Sequence, residues 1–100
     1  MPHAEFTWRV PVDHPAFAGH FPGQPIVPGV LLLDRAILCA EALRGASPGV
    51  WYVTQVKFFS PVGPGETLLL QLREEPGGSL SFVVSVGDRT IATGRLDERP

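Results

Sequence analysis

The sequence predicts an α+β domain in which an antiparallel sheet wraps over a single helix. Three observations carry that expectation. A long apolar run follows the pair Pro28-Gly29 and ends at Gly45, the length and punctuation of one helix. Four later segments are rich in β-branched and aromatic residues and are separated by Pro- and Gly-rich turns. The chain has 100 residues and no break in composition, internal repeat or low-complexity tract, so residues 1–100 read as one domain.

The elements follow in order. Residues 4–10, AEFTWRV, alternate loosely and stop at Pro11, which suits an edge strand. Residues 11–29 carry five prolines and three glycines. Fixed φ angles at that density forbid regular helix and favour a stiff, extended loop. The helix reads VLLLDRAILCAEALRG, and its first ten residues are apolar nearly all round, apart from Asp34 and Arg35. That pattern predicts a helix buried on most sides. After a turn at 46–50, strands are expected at 51–62, 67–75, 79–86 and 90–96, joined by PVGPGE, PGG and GDR. Turns so short between consecutive strands imply an antiparallel meander.

Bulk composition narrows the function. Apolar residues make up 44% of the chain and charged ones 18%, more apolar surface than a small monomer hides easily, which predicts an oligomer. The formal charge is −2, with seven arginines and one lysine scattered along the chain, so a nucleic-acid partner is not expected. Cys39 is the only cysteine, which excludes an internal disulfide and fits a reducing cytoplasm. The N-terminal MPHAEFTWRV lacks a signal-peptide pattern, and no apolar run is long enough to span a membrane. A cytoplasmic protein with no membrane association is the expectation.

Proton chemistry is concentrated between residues 20 and 34. His20 sits in Gly19-His20-Phe21-Pro22, with a small residue before it and a fixed bend after it, and imidazole titrates near neutrality. It is a candidate base, or a hydrogen-bonded structural residue of the loop. Pro28 and Gly29 start the helix, where first-turn amides lack intrahelical partners and can face a developing oxyanion. Asp34 has Val30, Leu31, Ile37 and Leu38 at three and four positions. A carboxylate in that company is expected to be desolvated and to hold its proton more readily, as a general acid does. The other reading is a polar stripe running on to Glu41. Metal-ligand spacings, nucleotide loops and a G-x-S-x-G elbow are absent, and Cys39 reads as packing.

The segment GHFPGQPIVPGVLLLD (19–34) resembles the signature of the 3-hydroxyacyl-acyl carrier protein dehydratases of the FabZ/FabA type, which have the hotdog fold. A second segment, KFFSPVGPGETL (57–68), is similar to the family's K-F-x-x-P-V-x-P-G-D-x-L. The resemblance implies a sheet curled round the central helix, and dimers whose sheets join with active sites across the interface. It puts His20 in the place of the catalytic histidine and Asp34 in that of the acid. Gly29 takes the position whose amide contacts the thioester carbonyl, and the Ile26 carbonyl the one that orients the histidine. Phe21 and Pro28 flank these groups and are candidate substrate-binding residues.

The implied reaction is reversible dehydration of a 3-hydroxyacyl thioester to the trans-2-enoyl thioester, in fatty acid or polyketide/aryl-polyene-type synthesis. No cofactor or metal is implied beyond the phosphopantetheine arm of the acyl carrier protein. That carrier is the expected partner, with Arg35, Arg44 and Lys57 as candidates for its landing patch. Leu38 stands where the family usually has a glutamine beside the acid, and the acid is aspartate in an otherwise FabZ-like motif. Two alternatives stay open. One is a non-catalytic hotdog subunit that completes a heterodimer, and the other is a hotdog thioesterase or coenzyme A hydratase.

Overall fold

A computed structural model describes residues 3–13, 26–45 and 50–99. Strand β1 (His3–Arg9) is followed by helix α1 (Gly29–Arg44), then by strands β2 (Val50–Phe58), β3 (Thr67–Glu74), β4 (Leu80–Val86) and β5 (Arg89–Arg99). The five strands form one antiparallel sheet in the order β1-β3-β4-β5-β2. β1 is an edge strand, as its ending at Pro11 predicts.

Alternation sorts the side chains. Leu68, Leu70 and Leu72 of β3 and Leu80, Phe82 and Val84 of β4 are fully buried, while their odd-numbered neighbours are more exposed. Register carries this face across every strand: Phe6 lies opposite Leu70, Leu70 opposite Val84, Val84 opposite Ala92, and Ala92 opposite Phe58. α1 lies on that face through Leu32, Ala36, Cys39 and Ala40, and the small side chains among them let the helix approach the sheet. Truncating one of the buried leucines to alanine costs about 2–5 kcal/mol in such a core. Gly45, at φ 84, ends the helix in a backbone conformation that glycine adopts without strain.

Three expectations need correction. α1 is not buried on most sides: Val30, Asp34, Leu38 and Ala42, four residues apart, form an exposed stripe. An all-round apolar composition does not reveal that one face of the helix is left uncovered by its own chain. The last four strands are also not a simple meander. β3, β4 and β5 are, but β2 lies beyond β5 at the far edge, so residues 59–66 carry the chain across the end of the sheet. Finally, β2 stops at Phe58 rather than at residue 62, and β5 runs on to Arg99. A bulge between Thr54 and Lys57, with Gln55 at φ 55, bends β2 near its centre.

The crossing segment is tied down on several sides. Phe59 N–H donates to the Ile91 carbonyl (2.8 Å), Val27 N–H to that of Val62 (2.7 Å) and Val10 N–H to that of Glu66 (2.9 Å). Gly63 N–H donates to Glu66 Oε2 and Arg89 Nη2 to Glu66 Oε1, each at 2.8 Å. The Gly63 amide first, and then Arg89, hold the Glu66 carboxyl below the usual glutamate range, against the opposing pull of partial burial.

Candidate active site

Strand β2 and the crossing segment meet the start of α1 at a cleft of about 450 Å³. Its described walls are Ile26, Val27, Gly29 and Leu32 on one side and Phe58 through Val62 on the other. Val27, Leu32 and Val62 are buried and make the floor, whereas Phe59 and Pro61 are exposed at the rim.

Gly29 is the first residue of α1, and its cap Pro28 makes no side-chain hydrogen bond to the first turn. The Leu31 N–H turns back to the Pro28 carbonyl (3.0 Å), and the Gly29 amide, in the first turn, has no acceptor among the described residues. A partially positive helix end therefore meets an apolar hollow. The absence of a side chain at Gly29 is structural too, since a Cβ there would lie 2.8 Å from Phe58 Cζ. Of the sequence-derived candidates, Ile26, Pro28 and Gly29 fall together at this end of the helix. His20 and Phe21 lie outside the described residues.

Asp34 is on α1 but does not line the cleft among its described residues. The expectation of a desolvated acid is not met within one chain: Asp34 is exposed, on the stripe between Val30 and Leu38. Those two flanking side chains are 63% and 52% exposed, so the carboxyl sits in an uncovered apolar band. The expected apolar neighbours are present, but without a second surface over them they leave the carboxyl in water. Glu41 is half-buried.

The candidate landing residues divide. Arg44 pairs with Glu74 (3.2 Å), donates to the Gly78 carbonyl and lies over Trp51. Arg35 stands 4.1 Å over the Trp8 ring, and Lys57 is exposed on β2. Cys39 is a buried free thiol, and burial pushes its pKa up, opposed by nearby Arg35. Among the described residues no group of three potential ligands could hold a metal, and no helix is long and apolar enough to cross a membrane.

Sequence reasoning gave no role to Phe58, Phe59, Ser60 or Val62, which form the second wall. The signal was there, because all four belong to the KFFSPVGPGETL segment, but only the chain crossing brings that segment to the helix start.

Comparison with known proteins agrees with this geometry. A family model described as ApeI-like, ApeI dehydratase, matches residues 2–95. The 3-hydroxyacyl-[acyl-carrier-protein] dehydratase FabZ of Paracidovorax citrulli is 37% identical over 102 residues, covering 88% of this chain and 70% of that protein. The chain spans about half to two thirds of the length of the first curated relatives it matches. Among solved structures, a chain of the dehydratase heterocomplex ApeI:P from Xenorhabdus doucetiae superposes with a TM-score of 0.85 at 30% identity, covering 98% of this chain and 88% of that one. A probable thioesterase from Bartonella henselae superposes with a TM-score of 0.70 at 17% identity, covering 97% of this chain and 96% of that one, a likeness of fold alone. The five-stranded antiparallel sheet with its one helix is the hotdog fold.

Proposed function

The chain belongs to the ApeI-like dehydratase family, and from that membership we propose that it catalyses reversible dehydration of 3-hydroxyacyl chains held on an acyl carrier protein. The observation that carries the reading is the apolar cleft headed by the Gly29 amide, which has no acceptor among the described residues. A thioester carbonyl at that amide leaves its acyl chain against the apolar floor.

His20 removes a proton from C2, and the Gly29 amide stabilises the enolate-like charge that forms on the thioester oxygen. Asp34 gives a proton to the C3 hydroxyl. The C3–O bond breaks, the C2–C3 double bond forms and water leaves. An α-proton of a thioester is far less acidic than imidazolium, so charge stabilisation at the oxygen is essential; one such donor is worth about 3–4 kcal/mol. The reaction needs no metal or redox group, only the phosphopantetheine arm that presents the substrate. A single free, buried cysteine fits a reducing cytoplasmic setting.

The outward position of Asp34 supports a site shared between subunits, in which His20 of one chain meets Asp34 of another. Val30 and Leu38 beside Asp34, and Tyr52 and Val50 on the open β2 edge, are apolar groups that a second hotdog subunit would cover. The second subunit is another copy of this chain, or a different hotdog chain, a reading favoured by the heterocomplex among its structural neighbours.

The test follows enoyl absorbance with a 3-hydroxyacyl carrier protein as substrate. Turnover by this chain alone, lost in both His20→Ala and Asp34→Asn, is the expected result. Turnover only after addition of a second hotdog subunit selects the heteromer. Thioester hydrolysis without enoyl formation refutes the dehydratase reading.

A further inference from the structure

One hydroxyl stands among the otherwise apolar side chains of the described lining. Among the described lining residues, Ser60 alone has a side chain able to hydrogen-bond. It is half-buried and makes no side-chain hydrogen bond among the described residues. Its backbone is fixed on both sides: Phe59 N–H is bonded to the Ile91 carbonyl and the Val62 carbonyl accepts from Val27 N–H. Arg89 Nη2 also reaches the Pro61 carbonyl at 3.5 Å. Ser60 therefore presents its hydroxyl from a backbone segment held on both sides.

Its position selects what it meets. Val27, Leu32 and Val62 at the floor are buried and suit a hydrocarbon chain, which offers nothing to a hydroxyl. Ser60 lies between exposed Phe59 and exposed Pro61, at the rim. A ligand seated with its acyl end on the floor and its carbonyl at Gly29 passes its carrying arm over that rim. We propose that Ser60 is a binding residue for this arm, its hydroxyl hydrogen-bonding a secondary amide of pantetheine. The proposal rests on the thioester reading of the preceding subsection. One neutral hydrogen bond changes affinity by about three- to tenfold.

Two ligands that cannot turn over test it by calorimetric titration of the protein in its native assembly. One is S-butyl pantetheine; the other is the same thioether with its amides replaced by ether links. Wild type is expected to prefer the amide ligand. Ser60→Ala should weaken that ligand about three- to tenfold and leave the ether ligand unchanged, while Ser60→Thr should bind as wild type. An equal loss on both ligands, no change on either, or no preference in wild type overturns the proposal. Enoyl formation is measured separately, so amide-selective binding without turnover would refute the dehydration and leave the Ser60 contact standing.

Discussion

Phe58 closes over Gly29: a Cβ on residue 29 would stand 2.8 Å from Cζ and 3.0 Å from Cε1 of that ring. The last residue of β2 and the first of α1 therefore bring the two walls of the cleft into contact. Phe58 is 53% exposed, so the ring can yield, and because it lines the cleft its displacement reshapes that cleft.

Gly29→Ala is accordingly expected to spare the fold and impair the site. Alanine favours the helix start by reducing the freedom of the unfolded chain, so the melting temperature should hold or rise slightly. Turnover efficiency should fall at least about tenfold, a loss of roughly 1.4 kcal/mol in transition-state stabilisation. A melt and an enoyl-absorbance assay on the same preparation check both halves. Undiminished kcat/KM would show that the Gly29–Phe58 contact does not shape the site.

Gly94→Ala should do the reverse. A Cβ there would lie 2.5 Å from Cε2 and Cζ of Phe82, which is fully buried, and 3.3 Å from Val56 Cγ2. Overpacking of this kind costs about 1–3 kcal/mol. In a domain of this size each kcal/mol lowers the melting temperature by about 4–8 °C. Thermal denaturation monitored by circular dichroism reads the shift.

Glu66 makes stability depend on pH with a definite sign. Its carboxyl is held below the usual range, by Gly63 N–H first and Arg89 next, so the folded chain prefers the charged form. That contribution is fully present above the unfolded value, about 4.3, and is lost as pH falls through the lower folded value. The gap in melting temperature between wild type and Glu66→Gln should be widest at pH 6–7 and shrink below about pH 4.3. A constant gap across that range would show that the ion pair and the Gly63 contact do not discriminate between charge states.

If His20 and Asp34 of one site come from different copies, two dead variants should rescue each other. His20→Ala and Asp34→Asn are each expected to lose about 10²–10⁴ in rate. After mixing and subunit exchange, half of the dimers are mixed and each keeps one intact site, so about a quarter of wild-type activity returns. Absence of rescue, with exchange shown by native mass spectrometry, would place both groups in one chain or require a different subunit.

Much of the fold was legible because its signals are local. The Pro28-Gly29 start, the Gly45 stop and alternation in TLLLQLRE depend on neighbours in sequence, and α1 and β3 fall within a residue or two of expectation. Strand order was not legible. PVGPGE looks like a hairpin turn, yet residues 59–66 bridge an edge strand and an interior one, because β2 pairs with β5 rather than β3. Local turn chemistry cannot say which strand the chain returns to.

The site divides along the same line. Gly29 at the helix start follows from the Pro-Gly pair, and the structure puts it in the cleft. The environment of Asp34 did not follow, since apolar neighbours on a helix predict burial only if something covers them. Ser60 was invisible for a different reason. A lone serine in a Pro- and Phe-rich segment carries no pattern until the walls around it prove to be apolar.

The outer edge of β2 has a consequence for handling the protein. VWYVTQVKF has no acid, no proline and one lysine, and among the described residues no strand pairs with its far side. Such a nine-residue edge is a template for strand addition, so a chain whose edge is left uncovered is expected to aggregate through it. The bend at Gln55 restricts which strands can lie alongside, but it does not close the edge. If the subunit that covers this edge is a different hotdog chain, co-expressing it is expected to raise the soluble yield; if it is another copy of this chain, the yield should be unchanged.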